Sequence, residues 1–115
     1  MEKIGSEISW SYFNQIDIRL GTIIRAEEFP EAQKPAYKLW LDFGPLGVKK
    51  SSAQIVKHYS VSELPGKQVV CIINLGEKQI GNFISQVLVT GFADEHGDVI
   101  LANVDKRVPN GAKLF

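Results

Sequence analysis

The chain has 115 residues, thirteen of them acidic and thirteen basic, and 44% are hydrophobic. That length supports one domain able to bury roughly two-thirds of its unfolded surface without a disulfide or a structural metal. Balanced charge excludes nucleic-acid binding through overall charge, so any such binding must come from a local basic patch.

Residues 6–15 place Ile8, Trp10, Tyr12 and Phe13 close together, with a helical turn or two expected over 11–15. Such a segment either covers the end of its own sheet or meets a second copy of the protein, and aromatic surface concentrated in this way near a chain end favours the second. Over 18–28, Ile18, Leu20 and Ile24 alternate with Arg19, Arg25 and Glu27, which predicts a first strand; Gly21 would supply the bend that a closing barrel needs. The following FPEAQKPA carries two prolines and no periodicity, and is read as a loop.

Residues 37–43 have the clearest pattern in the chain. Tyr37, Leu39, Leu41 and Phe43 face one way, while Lys38, Trp40 and Asp42 face the other. Trp40 is thus an aromatic flanked by charges on an outer face. Two readings stay open for it: cover by a neighbouring loop, or a platform on which a base or an apolar side chain stacks. Gly44-Pro45-Leu46-Gly47 is a tight turn, and 48–53 returns as a hairpin partner in which Lys49 and Lys50 lie on opposite faces. Residues 54–59 are expected to form a short helix, and Ser60 and Glu63 have the spacing of a capping box before Pro65-Gly66 stops the turn.

Two β-branched runs, 69–73 and 83–89, should lie side by side at the centre of the sheet, with the polar segment 74–82 presented between them as a loop. Cys71, the single cysteine, falls within the first run and reads as a small buried hydrophobe. Residues 94–98 form a turn, 99–102 a further short strand, and 108–115 a tail. The whole reads as an all-β, five-stranded OB-fold barrel with short helices and terminal extensions, a single domain over 1–115 with 1–15 as the N-terminal helical segment and 103–115 as a tail in dimer contacts.

Catalytic signatures do not emerge. His58 and His96 lack metal-site spacing and read as surface histidines; the glycines at 76 and 81 lack the lysine and hydroxyl of a phosphate loop; no serine sits in a nucleophile elbow. Binding without a cofactor or metal is expected. A cytoplasmic location is expected too, because MEKIGSEISW lacks the basic start and apolar centre of a secretion signal.

Asp17-Ile18-Arg19-Leu20-Gly21, Asn74-Leu75 and Ser85 resemble the tRNA-binding OB domain found free or attached to aminoacyl-tRNA synthetases. Within it, KPAYKLW at 34–40, KKSSAQI at 49–55 and VPNG at 108–111 closely resemble the CsaA family of bacterial export chaperones. The resemblance implies a homodimer that binds unfolded or pre-secretory polypeptides without ATP and meets the SecA translocation ATPase; the wider family implies tRNA as an alternative ligand. It departs at Ser85-Gln86-Val87-Leu88, where the tRNA-binding domains usually carry Ser-Glu-Gly-Met, and at Asn82, where glycine is commoner. As a chaperone, the chain would use Tyr37, Trp40 and Phe83 rimmed by Lys38, Lys49 and Lys78. As a tRNA-binding module it would use Arg19, Lys49, Lys50, Ser52, Asn74, Lys78 and Ser85. Trp10, Phe13, Val108, Leu114 and Phe115 would meet across the dimer. A structural OB domain with neither activity is the third possibility.

Overall fold

The eleven residues of β1 (Ile18–Glu28) are long enough to serve two partners. Its first half pairs antiparallel with β4 (Gln68–Ile72), from Ile18 opposite Ile72 to Thr22 opposite Gln68. Its second half pairs with β2 (Tyr37–Asp42), from Thr22 opposite Asp42 to Glu28 opposite Tyr37. One strand shared in this way bends the sheet on itself. The computed structural model, which describes residues 2–115, continues the sheet through β3 (Val48–Ala53) beyond β2 and through β7 (Leu88–Val89) beyond β4, in the order β3-β2-β1-β4-β7.

The two ends of this sheet meet. Gln86 N and Val87 N donate to Lys50 O at 2.8 and 3.3 Å, Ser51 Oγ donates to Val87 O at 2.8 Å, and Ser52 N donates to Ser85 Oγ at 3.1 Å. A nearly closed five-stranded barrel results, consistent with an OB-fold. Its interior holds Ile23, Tyr37, Leu39, Leu41, Phe43, Val69, Cys71 and Val87, the alternation expected for 37–43. Closure spares the barrel the exposed edges of an open sheet.

Four expectations are corrected. The irregularity in β1 falls between Ile23 and Arg25, not at Gly21. Gly21 is there for another reason: a Cβ on it would lie 2.7 Å from Cε1 of Phe43, whose ring fills that space. Residues 54–59 are turns, not helix. Ile55 and Leu64 instead enter the core from this irregular segment. The Ser60/Glu63 box still closes, with Ser60 N donating to Glu63 Oε1 at 2.8 Å, but it closes a single turn before Gly66 at φ 96°.

The run 83–89 is not one strand, and 74–82 is not simply a loop. β5 (Lys78–Ile80) and β6 (Phe83–Ser85) form a hairpin of their own, and the chain bends at Gln86-Val87 before β7 joins the barrel. The hairpin turns through Gly81 at φ 58° followed by Asn82 with ordinary negative φ, the arrangement of a type II′ turn. Finally, 99–102 has a partner that sequence periodicity does not reveal: β8 (Gly91–Ala93) pairs with β9 (Val99–Leu101).

The short helix α1 (Trp10–Phe13) is capped by Ser9, whose Oγ accepts from Tyr12 N. The tail docks along the free edge of β1, where Leu20 N donates to Ala112 O and Leu114 N to Ile18 O, each at 2.9 Å. Gly111 at φ 85° makes this possible, since a Cβ there would meet Phe43 O at 2.3 Å.

Candidate binding face

Cross-strand register builds one face of the barrel residue by residue. Arg25 on β1 stands opposite Trp40 on β2, and Trp40 stands opposite Lys50 on β3. The next outward row is Glu27, Lys38 and Ser52. Against these rows lies the β5–β6 hairpin, whose Phe83 meets Trp40 edge to face at 5.7 Å and Phe29 at 5.5 Å. Cations surround the aromatic group: Arg25 Cζ lies 4.6 Å from the centre of the Trp40 ring, and the Lys50 and Lys38 ammonium groups lie 5.1 and 6.0 Å from that of Phe83. Lys78, opposite Ser85 in the hairpin, adds a further exposed cation. Beside it, a groove of about 500 Å³ runs between the 29–36 loop and the hairpin, with Lys34, Ser52 and Lys78 among its walls.

The face is polar and apolar at once, which suits a ligand that presents both. Aromatic contacts of this geometry contribute about 0.5–1.5 kcal/mol beyond simple burial, and the aliphatic stems of lysine can cover apolar surface while their charges stay in water. Glu27 is the acidic member of the patch, ion-paired with Arg25 and 3.6 Å from Lys38 Nζ.

The structure thus brings together Trp40, Phe83, Lys38, Lys50, Ser52, Lys78 and Ser85. It does not bring the others. Tyr37 belongs to the core, where its hydroxyl donates to Tyr59 O at 2.7 Å, and burial raises its pKa above the ordinary phenol value. Lys49 pairs with Leu41, on the opposite face from Trp40. Arg19 pairs with Cys71 in register, binds Asp17 at 2.7 Å and donates to Gly111 O at 3.1 Å. Asn74 accepts from Asp17 N at 2.9 Å and donates to Gln15 O at 2.7 Å, so it fastens the helical segment to the barrel. Ser85 and Ser52 sit at the face but spend their bond to each other on barrel closure. Arg25, Glu27 and Phe29 are members that the sequence reading did not name as site residues, although it put Arg25 and Glu27 on the charged side of β1. The bulge at Ile24 reverses the alternation of β1, placing Arg25 outward while Arg19 points the other way.

A second surface forms where the helical segment and the tail meet. Trp10 and Phe13 pack edge to face at 6.0 Å, and a crevice there is lined by Phe13, Ile16, Ile18 and Leu114. Trp10 is 79% exposed, and Leu114, Phe115 and Val108 are exposed as well. Elsewhere, burial pushes the Cys71 thiol up to about 12, far from a reactive thiolate. His58 Nε2 lies 2.7 Å from Asp94, and with Asp98 these are the grouping of possible metal ligands among the described residues.

Comparison with known proteins agrees with this architecture. The chaperone CsaA from Bacillus anthracis str. Ames superposes with a TM-score of 0.89 and 44% identity, covering 96% of this chain and all of that one. CsaA from Picrophilus torridus gives 0.86 and 44% over 95% of this chain. A methionine–tRNA ligase from Methanocaldococcus jannaschii is 32% identical over 109 residues, but this chain spans only 16% of the ligase. The family model described as "Putative tRNA binding domain" matches residues 18–113. With so much of the barrel inside that match, the chain belongs to the tRNA-binding domain family.

Proposed function

We propose that the protein is a chaperone of the CsaA kind, which holds unfolded or pre-secretory polypeptides as a homodimer, without ATP, on the face around Trp40 and Phe83. The observation that supports it most is the Phe29–Phe83–Trp40 cluster rimmed by Lys38, Lys50 and Lys78, in a chain that matches two solved CsaA chaperones over nearly its whole length. Apolar client side chains would settle beside Trp40, the partly exposed ring of the cluster, with the buried Phe29 and Phe83 supporting it, and the lysines favour segments that also carry acidic residues. Release follows client folding or hand-over to a partner such as the SecA translocation ATPase. A cytoplasmic setting fits such a partner; among the described residues no helix is long and apolar enough to cross a membrane.

The dimer forms, in this reading, through Trp10, Phe13, Val108, Leu114 and Phe115. Burying a large apolar side chain contributes roughly 1.5–3 kcal/mol as an upper range, and a self-complementary patch gives a closed pair. Retention of an unfolded client by the parent protein and by a Trp40→Ala variant tests the site, and light-scattering mass tests the dimer. A monomer at micromolar concentration rules out the assembly.

A second reading is tRNA binding on the same face. Arg25, Lys38, Lys50 and Lys78 gather there, with Glu27 ion-paired to Arg25 and Lys38 and Glu31 across the groove, which gives a local basic patch to an otherwise neutral chain. Titration with bulk tRNA at two salt concentrations separates the two: phosphate binding weakens steeply with salt, whereas client retention through aromatic contacts does not.

A further inference from the structure

We propose that Arg25 is the stacking residue of this face, presenting its guanidinium to an unpaired nucleobase of an RNA ligand. This rests on the second reading, of the face as an RNA-binding surface, and names the residue that would sort bases from bare phosphate.

The Trp40 ring is not an open platform. The edge of Phe83 takes one approach to it at 5.7 Å and 75°, and Arg25 covers another with its Cζ 4.6 Å from the ring centre. Trp40 is therefore half-buried. Arg25, in contrast, has a side chain 63% exposed. Of the two, Arg25 is the more open to an incoming group.

The placement of Arg25 is built into the strand. Alternation from Ile23, which faces the core opposite Leu41, would turn residue 25 inward as well. The extra residue at Ile24 reverses the alternation, so Arg25 comes out opposite Trp40 and Glu27 opposite Lys38. Bulges commonly re-aim side chains in this way next to binding sites. Glu27 then holds the guanidinium by an ion pair while its other oxygen lies 3.6 Å from Lys38.

Chemistry selects the ligand. A guanidinium is planar, delocalised and weakly hydrated, so it stacks on π-systems, and unpaired RNA bases commonly stack on such planes. Lys38 and Lys50, beside Phe83 in the same patch, add positive charge for the phosphates of such a ligand. An apolar polypeptide side chain gains little on a charged plane. It would have to move Arg25 aside to reach the indole, and for that ligand Arg25 is an obstacle.

The two ligands predict opposite effects, which makes the test sharp. In a Trp10→Phe background Trp40 is the remaining tryptophan, and its fluorescence reports binding of an oligouridylate, of an abasic ribose-phosphate oligomer of equal length, and of an unfolded polypeptide. Arg25→Lys keeps the charge and loses the plane. It is expected to weaken oligouridylate binding about tenfold, the scale of one missing stack, with an unchanged salt slope and unchanged binding of the abasic oligomer. Thermal unfolding of each variant confirms the fold. Equal binding of oligouridylate and abasic oligomer by the unaltered protein overturns the proposal, as does full oligouridylate affinity in Arg25→Lys or tighter binding in Arg25→Ala. Lys50→Glu separates the layers. If oligouridylate binding is salt-dependent and falls in Lys50→Glu but ignores Arg25→Lys, only the stacking role fails; if the parent shows no salt-dependent binding, the RNA reading fails with it.

Discussion

Leu39 and Trp40 are neighbours in sequence and point to opposite faces of β2, so truncating each to alanine separates folding from binding. Leu39 is fully buried in the barrel. Its removal leaves a cavity in the core cluster and should lower stability by about 2–5 kcal/mol, a large share of the roughly 5–15 kcal/mol available to such a domain. Trp40 instead contacts Phe83 edge to face and Arg25 through its ring. One aromatic pair at about 0.5–1.5 kcal/mol and one cation–π contact at about 0.5–1 kcal/mol place its stability loss near 1–2.5 kcal/mol. Its loss of client affinity should be on the order of 2 kcal/mol if it anchors the polypeptide. Urea unfolding gives the first quantity, and retention of a chemically unfolded client the second. The reasoning fails if folded Trp40→Ala retains client as well as the parent, or if Leu39→Ala is as stable as the parent.

Exchange of Trp10 and Phe13 for glutamate should give monomers that keep the barrel's circular dichroism; light scattering that still shows dimers would remove these residues from the interface. Lys50→Glu and Lys78→Glu should each weaken tRNA binding and flatten its salt dependence, by about 0.7–0.9 in slope for every phosphate no longer neutralised, as a filter-binding series at several salt concentrations would show. Gly21→Ala should be destabilising by about 1–3 kcal/mol, since its new methyl meets the Phe43 ring at 2.7 Å; a thermal midpoint equal to the parent's would contradict that packing. Asp94 has its pKa lowered from 3.8 by the backbone N–H of Asp98 first and by His58 second. A carboxylate more acidic folded than unfolded stabilises above its unfolded pKa and loses that contribution as pH falls through the folded value. Asp94→Asn should therefore shrink the difference in stability between pH 5 and pH 2, conditions chosen to span about the carboxylate range, and an unaltered acid profile would show the contacts to be idle.

Strict alternation makes β2 legible in the sequence. Tyr37, Leu39, Leu41 and Phe43 enter the core as expected because a strand with one buried face has a period of two and no tolerance for a slip. The burial of Cys71 follows from its apolar neighbours by the same logic. The β5–β6 hairpin is less legible, since 83–89 is largely apolar and nothing in its composition marks Gln86-Val87 as the bend where one strand becomes two. β8 escapes for a related reason: Gly91-Phe92-Ala93 is three residues long and is defined by its partner, not by its own pattern.

The site is harder to read than the fold because its members come from three strands and a hairpin, and register decides which of them meet. Lys38, Trp40 and Phe83 are found by alternation and resemblance. Arg25 falls on the charged side of the β1 pattern, but the one-residue bulge that inverts alternation along the strand is silent in sequence, so the pattern does not single out Arg25 as the partner of Trp40. The same inversion separates Arg19 from the face, although plain alternation along β1 puts the two arginines together. Asn74 and Ser85 show a different difficulty. Their side chains are spent on holding the helical segment and closing the barrel, so a family motif that marks them can reflect architecture as readily as contact with a ligand. Cations that no backbone group engages are the better guide to binding here. Among the described residues, Lys38 and Lys50 lie beside aromatic rings and Lys78 beside the groove, with no acidic partner closer than Glu27 at 3.6 Å from Lys38.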